Sequence, residues 1–127
     1  MEASLNTAHK NPSYSLAQRI GEIALDKKAR EVVILDLRPL TSITDYFVIC
    51  TGEVNQHVKA ISDEIDLRLR PTEKPWHIEG YQHLSWVLMD YVNVVVHVFD
   101  PETREYYNLE KLWADAVVEK ISDDLSD

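Results

Sequence analysis

The chain has 127 residues, 45% of them hydrophobic, with 13 Lys+Arg against 22 Asp+Glu, a formal charge of -9 and one cysteine. That length suits one domain that buries roughly two thirds of its unfolded surface without disulfide staples. The acidic balance repels phosphate backbones, which argues against nucleic acid as the main source of affinity and points to a basic protein partner.

The N-terminal run Met1 to Thr7 lacks the basic start and apolar middle of a secretory signal, and no apolar run is long enough to span a bilayer. The expectation is a soluble, cytoplasmic protein. Residues 1–12 are polar and aperiodic and read as a loose leader ending at Asn11-Pro12, before a single domain over 13–118 and an acidic tail over 119–127. Ser13 or Ser15 is placed to cap a first helix on which Leu16, Ile20, Ile23 and Ala24 recur at helical spacing. Lys27, Lys28 and Arg30 suit its C-terminal end, near Ala29.

Val32 to Leu37 is a continuous apolar run that stops at Arg38-Pro39 and reads as the first strand. Tyr46 to Thr51 forms the second, closed by Gly52. Within it Cys50 reads as a small buried hydrophobe rather than a nucleophile, because no Cys-His signature surrounds it. Asn55 is a candidate cap for a second helix with Val58, Ile61, Ile65 and Leu69 along one side. Its pairs Glu64/Arg68 and Asp66/Arg70 are spaced four apart, and Pro71 ends it. Trp76 to Glu79, ending at Gly80, is a short third strand.

The stretch Leu84 to Pro101 predicts a hairpin, since Val, Phe, Tyr and Trp crowd it and Asn93 interrupts it midway. Alternation places Trp86, Leu88 and Asp90 on one face of its first strand and Val87, Met89 and Tyr91 on the other; in the second strand Val94, Val96 and Val98 oppose Val95, His97 and Phe99. A sheet that is apolar on both faces must be covered on both, by its own helices or by another molecule. Asp100 to Arg104 reads as turn chemistry, and Asn108 caps a final helix carrying Leu109, Leu112, Trp113 and Ala116. The expected fold is α/β (α+β), a mixed sheet of about five strands with packed helices in the order α-β-β-α-β-β-β-α.

Catalytic patterns are sparse. His9, His57, His77, His83 and His97 have no metal-type spacing, although His77, His83 and His97 could converge with Asp90 if their strands are neighbours. Ser42, Ser62 and Ser85 sit in no nucleophile elbow, and Gly21, Gly52 and Gly80 form no phosphate-cradling loop. Asp45, Asp90, Asp100, Glu79 and Glu102 offer carboxylates near strand ends without a close metal-clamping pair. An interaction surface is the better reading. The alternative is a small metal-dependent or nucleotide-handling enzyme that uses His and Asp at strand ends.

Several spaced blocks, Thr44 to Gly52, His57 to Ile61, Glu79-Gly80, Trp86 to Tyr91, Val94 to Phe99 and Pro101 to Trp113, closely resemble the ribosomal silencing factor family, the Iojap-like proteins, over about residues 14–116. The resemblance implies a fold like that of nucleotidyltransferases, without the Gly-Ser helix start and Asp-x-Asp pair that their catalysis requires. It implies a factor, not an enzyme, with no cofactor. Such a factor binds the large ribosomal subunit through protein L-fourteen, prevents subunit joining and represses translation under nutrient limitation or in stationary phase. The residues it nominates for the contact are Trp86, Asp90, Tyr91, His97, Glu102, Arg104 and Tyr106, while Leu109, Leu112 and Trp113 are assigned mainly to packing. One departure is Val92, where the family often has glycine; a β-branched residue resists positive φ, so a longer hairpin or another turn type is expected. The short link Arg70 to Pro75, with two prolines, has no assigned function. The doubly apolar central strands also suggest a homodimer in the absence of ribosomes.

Overall fold

The computed structural model describes residues 11–122, so most of the expected leader, with His9, and the last part of the expected tail lie outside the described residues. The elements are α1 (Pro12–Asp26), β1 (Arg30–Asp36), β2 (Tyr46–Thr51), α2 (Asn55–Leu69), β3 (His77–Glu79), β4 (Trp86–Asp90), β5 (Val94–Phe99), α3 (Pro101–Tyr107), α4 (Leu109–Leu112) and β6 (Val117–Lys120). They form one mixed sheet in the order β3-β4-β5-β2-β1-β6, antiparallel except for the parallel β2–β5 pair. Parallel neighbours need a crossover, and the long chain between β2 and β5 supplies one through α2.

Local chemistry explains most boundaries. Asn11, rather than a serine, caps α1: its Oδ1 accepts from the amides of Ser13 and Tyr14, and Pro12 occupies the first turn, where a missing N–H is harmless. Asn55 is the first residue of α2 and not its cap; Val54 holds that position without a side-chain bond. The expected pairs form on α2, Arg68 to Glu64 at 2.7 Å and Arg70 to Asp66 at 3.0 Å.

Both long helices cover the same side of the sheet. Ile20, Ile61, Ile65 and Leu69 are fully buried against Val48, Cys50, Met89, Val96 and Val98. Each such aliphatic side chain contributes about 2 kcal/mol of burial. Cys50 is part of this core, and burial pushes its thiol up to about 12, so it packs as an inert hydrophobe.

The sheet has six strands and not the expected five, because Val117 to Lys120 pairs antiparallel with β1 from Asp36↔Val117 to Val33↔Lys120. The boundary drawn at 118 falls inside that strand. Tyr14 of α1 secures it, donating its hydroxyl to Glu119 Oε1 at 2.7 Å. The region read as a turn, Asp100 to Arg104, is instead the start of the helix Pro101–Tyr107: Asp100 Oδ1 accepts from the Thr103 amide and Pro101 starts the first turn. Asn108 does cap the next helix, through Oδ1 to the Lys111 amide, but that helix is the short α4.

Candidate functional site

The opposite side of the sheet is closed by much less. Neither α3 nor α4 has a buried residue, and the apolar cluster there consists of Val33, Leu35, Leu37, Ile49, Phe99 and Ala116 with Phe47, Trp86, Leu109 and Trp113 partly exposed around it. On β4 and β5 the outward residues Trp86, Leu88, Asp90 and Val95 all remain partly exposed. This uncovered half-face, edged by α3, is the candidate site.

Gly80 determines how Trp86 arrives on it. The glycine sits at φ +102 with the Trp86 carbonyl packed against the position a Cβ would take, so only glycine fits the tight return from β3 to β4. From β4 the Trp86 ring lies over Phe99 (centroids 4.9 Å apart) and against Tyr107 of α3 (4.8 Å). Its indole N–H donates to His97 Nδ1 at 3.1 Å. An indole nitrogen can only donate, so His97 must accept at Nδ1 and carry its proton on Nε2. That Nε2 is buried and has no hydrogen-bond partner. Phe47 and Phe99 pack beside the imidazole, the Phe47 ring at 4.4 Å, and burial pushes the His97 pKa down to about 3. His97 therefore stays neutral and holds the Trp86 ring in one orientation.

At the far end of the hairpin, Asp90 Oδ1 accepts from the Val92 amide at 2.7 Å. The Asn93 amide donates to the Tyr91 carbonyl at 3.0 Å, closing a three-residue γ-turn with Val92 at its centre at φ +77. Of the two outcomes expected from Val92, another turn type is the one observed; the hairpin is not lengthened. Strain of about 1–3 kcal/mol is typical for such a backbone.

The nominated residues separate into groups. Trp86 and Asp90 share the uncovered face, and Tyr106, 80% exposed, stands at its edge with its ring packed on Tyr107. Glu102 is exposed in the first turn of α3 and lines a separate cleft with Glu53, Asn55 and Asp100. Tyr91 points the other way, buried in the helix-covered core, where desolvation raises its phenol pKa. Arg104 is drawn inward with its side chain only 11% exposed. Its Nη1 donates to the Glu31 carbonyl at 2.8 Å and Thr51 Oγ1 at 2.9 Å, and its Nη2 to Glu110 Oε2 at 2.7 Å, which fastens α3 and α4 to the β1–β2 end of the sheet. Alternation along the strands showed the two residue sets of each strand but not which set the helices cover. It thus missed Phe47 and Leu88 as members of the site, and reading the start of α3 as a turn missed Tyr107.

Among the described residues no group of three or more His, Cys, Asp or Glu side chains is arranged to hold a metal ion. His77 lies opposite Asp90 in register but bonds Glu79 at 2.6 Å, His83 is exposed, and His57 bridges the Glu53 amide and the Lys27 carbonyl. No described helix is long and apolar enough to cross a membrane.

Fold and site together define a small α+β domain with a mixed sheet, one face sealed by two long helices and the other left half open and aromatic. Residues 10–127 match the family model described as "Ribosomal silencing factor during starvation". The chain is 45% identical over 92 residues to the ribosomal silencing factor of Halalkalibacterium halodurans, covering 72% of this chain and 79% of that one. It is 44% identical over 92 residues to that of Bacillus subtilis, covering 72% and 78%. A crystal structure of a Chromobacterium violaceum protein superposes with a TM-score of 0.79 at 31% identity, covering 82% of this chain and 88% of that one. The chain belongs to the ribosomal silencing factor family.

Proposed function

We propose that this protein docks its uncovered sheet face on protein L-fourteen of the large ribosomal subunit and so prevents the small subunit from joining, lowering translation in the cytoplasm under nutrient limitation or in stationary phase. The observation that carries this reading is the Trp86 indole, held partly exposed and in one orientation by a buried neutral His97 on a face the chain's own helices do not cover. Family membership supports the ribosomal target. Ribosomal proteins are mostly basic, so the charge of -9 favours encounter and register, while a preoriented aromatic ring supplies the desolvated anchor typical of binding hot spots. Inhibition is steric: one molecule on the docking face excludes the small subunit, and nothing is turned over.

The test is a sucrose gradient of purified subunits with and without the protein. A shift from whole ribosomes to free subunits, with the protein in the large-subunit fraction, supports the proposal; normal joining with the protein at the top of the gradient refutes it. Without ribosomes the same uncovered face is proposed to pair two copies, which light scattering at high concentration would contradict by returning a monomer mass.

A further inference from the structure

Beside the γ-turn of the β4–β5 hairpin lies a cleft of about 280 Å³ lined by Ile43, Thr44, Trp76, Asp90, Val92 and Val95. Two of its walls are unusually open for their type, Ile43 at 85% and Trp76 at 78% exposure, and Val92 is held outward by its positive φ. Isolated exposed apolar residues are ordinary on a protein surface, but three around one cleft mark a contact.

The polar atoms in the cleft narrow the choice of occupant. Thr44 lines the cleft, but its Oγ1 is buried out of reach of solvent and offers no acceptor there. Asp90 uses Oδ1 on the Val92 amide, and its Oδ2 makes no hydrogen bond among the described residues. The cleft therefore offers a carboxylate oxygen, an indole face and aliphatic walls, on a chain whose charge is -9. An anion is repelled by this set, and a purely apolar group leaves the carboxylate oxygen unmatched.

We propose that this cleft is a socket for an arginine side chain presented by a partner protein. The guanidinium stacks on Trp76 and donates to Asp90 Oδ2, while the methylene stem packs on Ile43 and Val92. A planar guanidinium that stacks on a ring while donating to a carboxylate beside it matches this set better than the point charge of lysine does. The inference does not depend on which protein supplies the arginine.

The experiment is a titration of the isotope-labelled protein with N-acetyl-arginine methylamide, followed by amide and indole NMR, with the citrulline and lysine analogues in parallel. Saturable shifts are expected at the Trp76 indole N–H and the Thr44 and Val92 amides, with the two analogues binding at least about fivefold more weakly. Asp90→Asn retains the Oδ1 acceptor for Val92, and Trp76→Ala removes a side chain that is 78% exposed, so both variants keep the fold. Each is expected to weaken the arginine probe, Asp90→Asn by roughly tenfold. Absence of shifts at the cleft, equal binding of either analogue, or unchanged affinity in both variants overturns the socket. Binding of large subunits without binding of the arginine probe refutes this inference alone, and the converse refutes the ribosomal reading alone.

Discussion

On the side of the sheet beneath α1 and α2, Val48, Cys50, Met89, Val96 and Val98 have no exposed surface, whereas on the other side of the same strands Phe47, Trp86 and Val95 are still partly open. The helix side is aliphatic and shape-filled. The other side is aromatic, carries the imidazole of His97 and the carboxylate of Asp90, and is closed only by short helices with no buried residues. Among the described residues the buried cluster on the helix side has twenty members and that on the other side six, so stability resides mainly on the first. The difference teaches a division of labour: one face folds the chain, and the second is left available for contact.

Substitutions on the two faces should separate these roles. Ile65→Ala, in the fully buried helix core, is expected to lower unfolding free energy by about 3–4 kcal/mol in urea titrations. Leu88→Ala, on the partly exposed face of β4, is expected to cost less than about 1 kcal/mol; equal losses would abolish the distinction between the faces.

Acid probes the aromatic side. His97 is held near 3 in the fold against an ordinary value of 6.5, so the unfolded chain binds the extra proton between those values. The His97 contribution to stability is complete above pH 6.5 and is lost as pH falls toward 3, at about 1.4 kcal/mol per unit. His97→Asn should flatten this part of the pH profile; an unchanged slope would mean that the imidazole is not buried neutral.

Arg104→Met removes the tie between α3–α4 and the β1–β2 end and leaves Glu110 without its cation. The expected loss is about 2 kcal/mol, accompanied by faster amide exchange in α3 and α4 but not in α1 or α2. A further effect concerns the hairpin tip. Val92→Gly relieves the positive φ and is expected to raise stability by roughly 1 kcal/mol; a loss would show that the turn is not strained by valine.

Much of this architecture is legible in the residues. The helical stripe of Val58, Ile61, Ile65 and Leu69 and the alternation through Trp86 to Phe99 both correspond to elements of the sheet and its cover. What escapes local reading is what tertiary pairing decides. Val117 to Lys120 is too short to announce a strand and becomes one by pairing with β1. Asp100-Pro101 is equally good turn chemistry and helix-start chemistry, and the structure uses it for α3. Tyr91, His97 and Arg104 are nominated for the contact by their place in the blocks that resemble the family, which does not tell whether each is buried. Burial of Tyr91 under α2, the Trp86–His97 bond and the three acceptors around Arg104 depend on which face each strand turns inward.

The most direct test compares binding of purified protein L-fourteen by variants on the two faces, with circular dichroism to confirm folding. Trp86→Ala and Asp90→Lys alter the uncovered side, and Leu67→Ala alters an exposed residue of α2. The expected result is a loss of affinity of at least about tenfold for the first two and none for Leu67→Ala. Unchanged binding by both uncovered-face variants, or a loss confined to Leu67→Ala, would contradict the account.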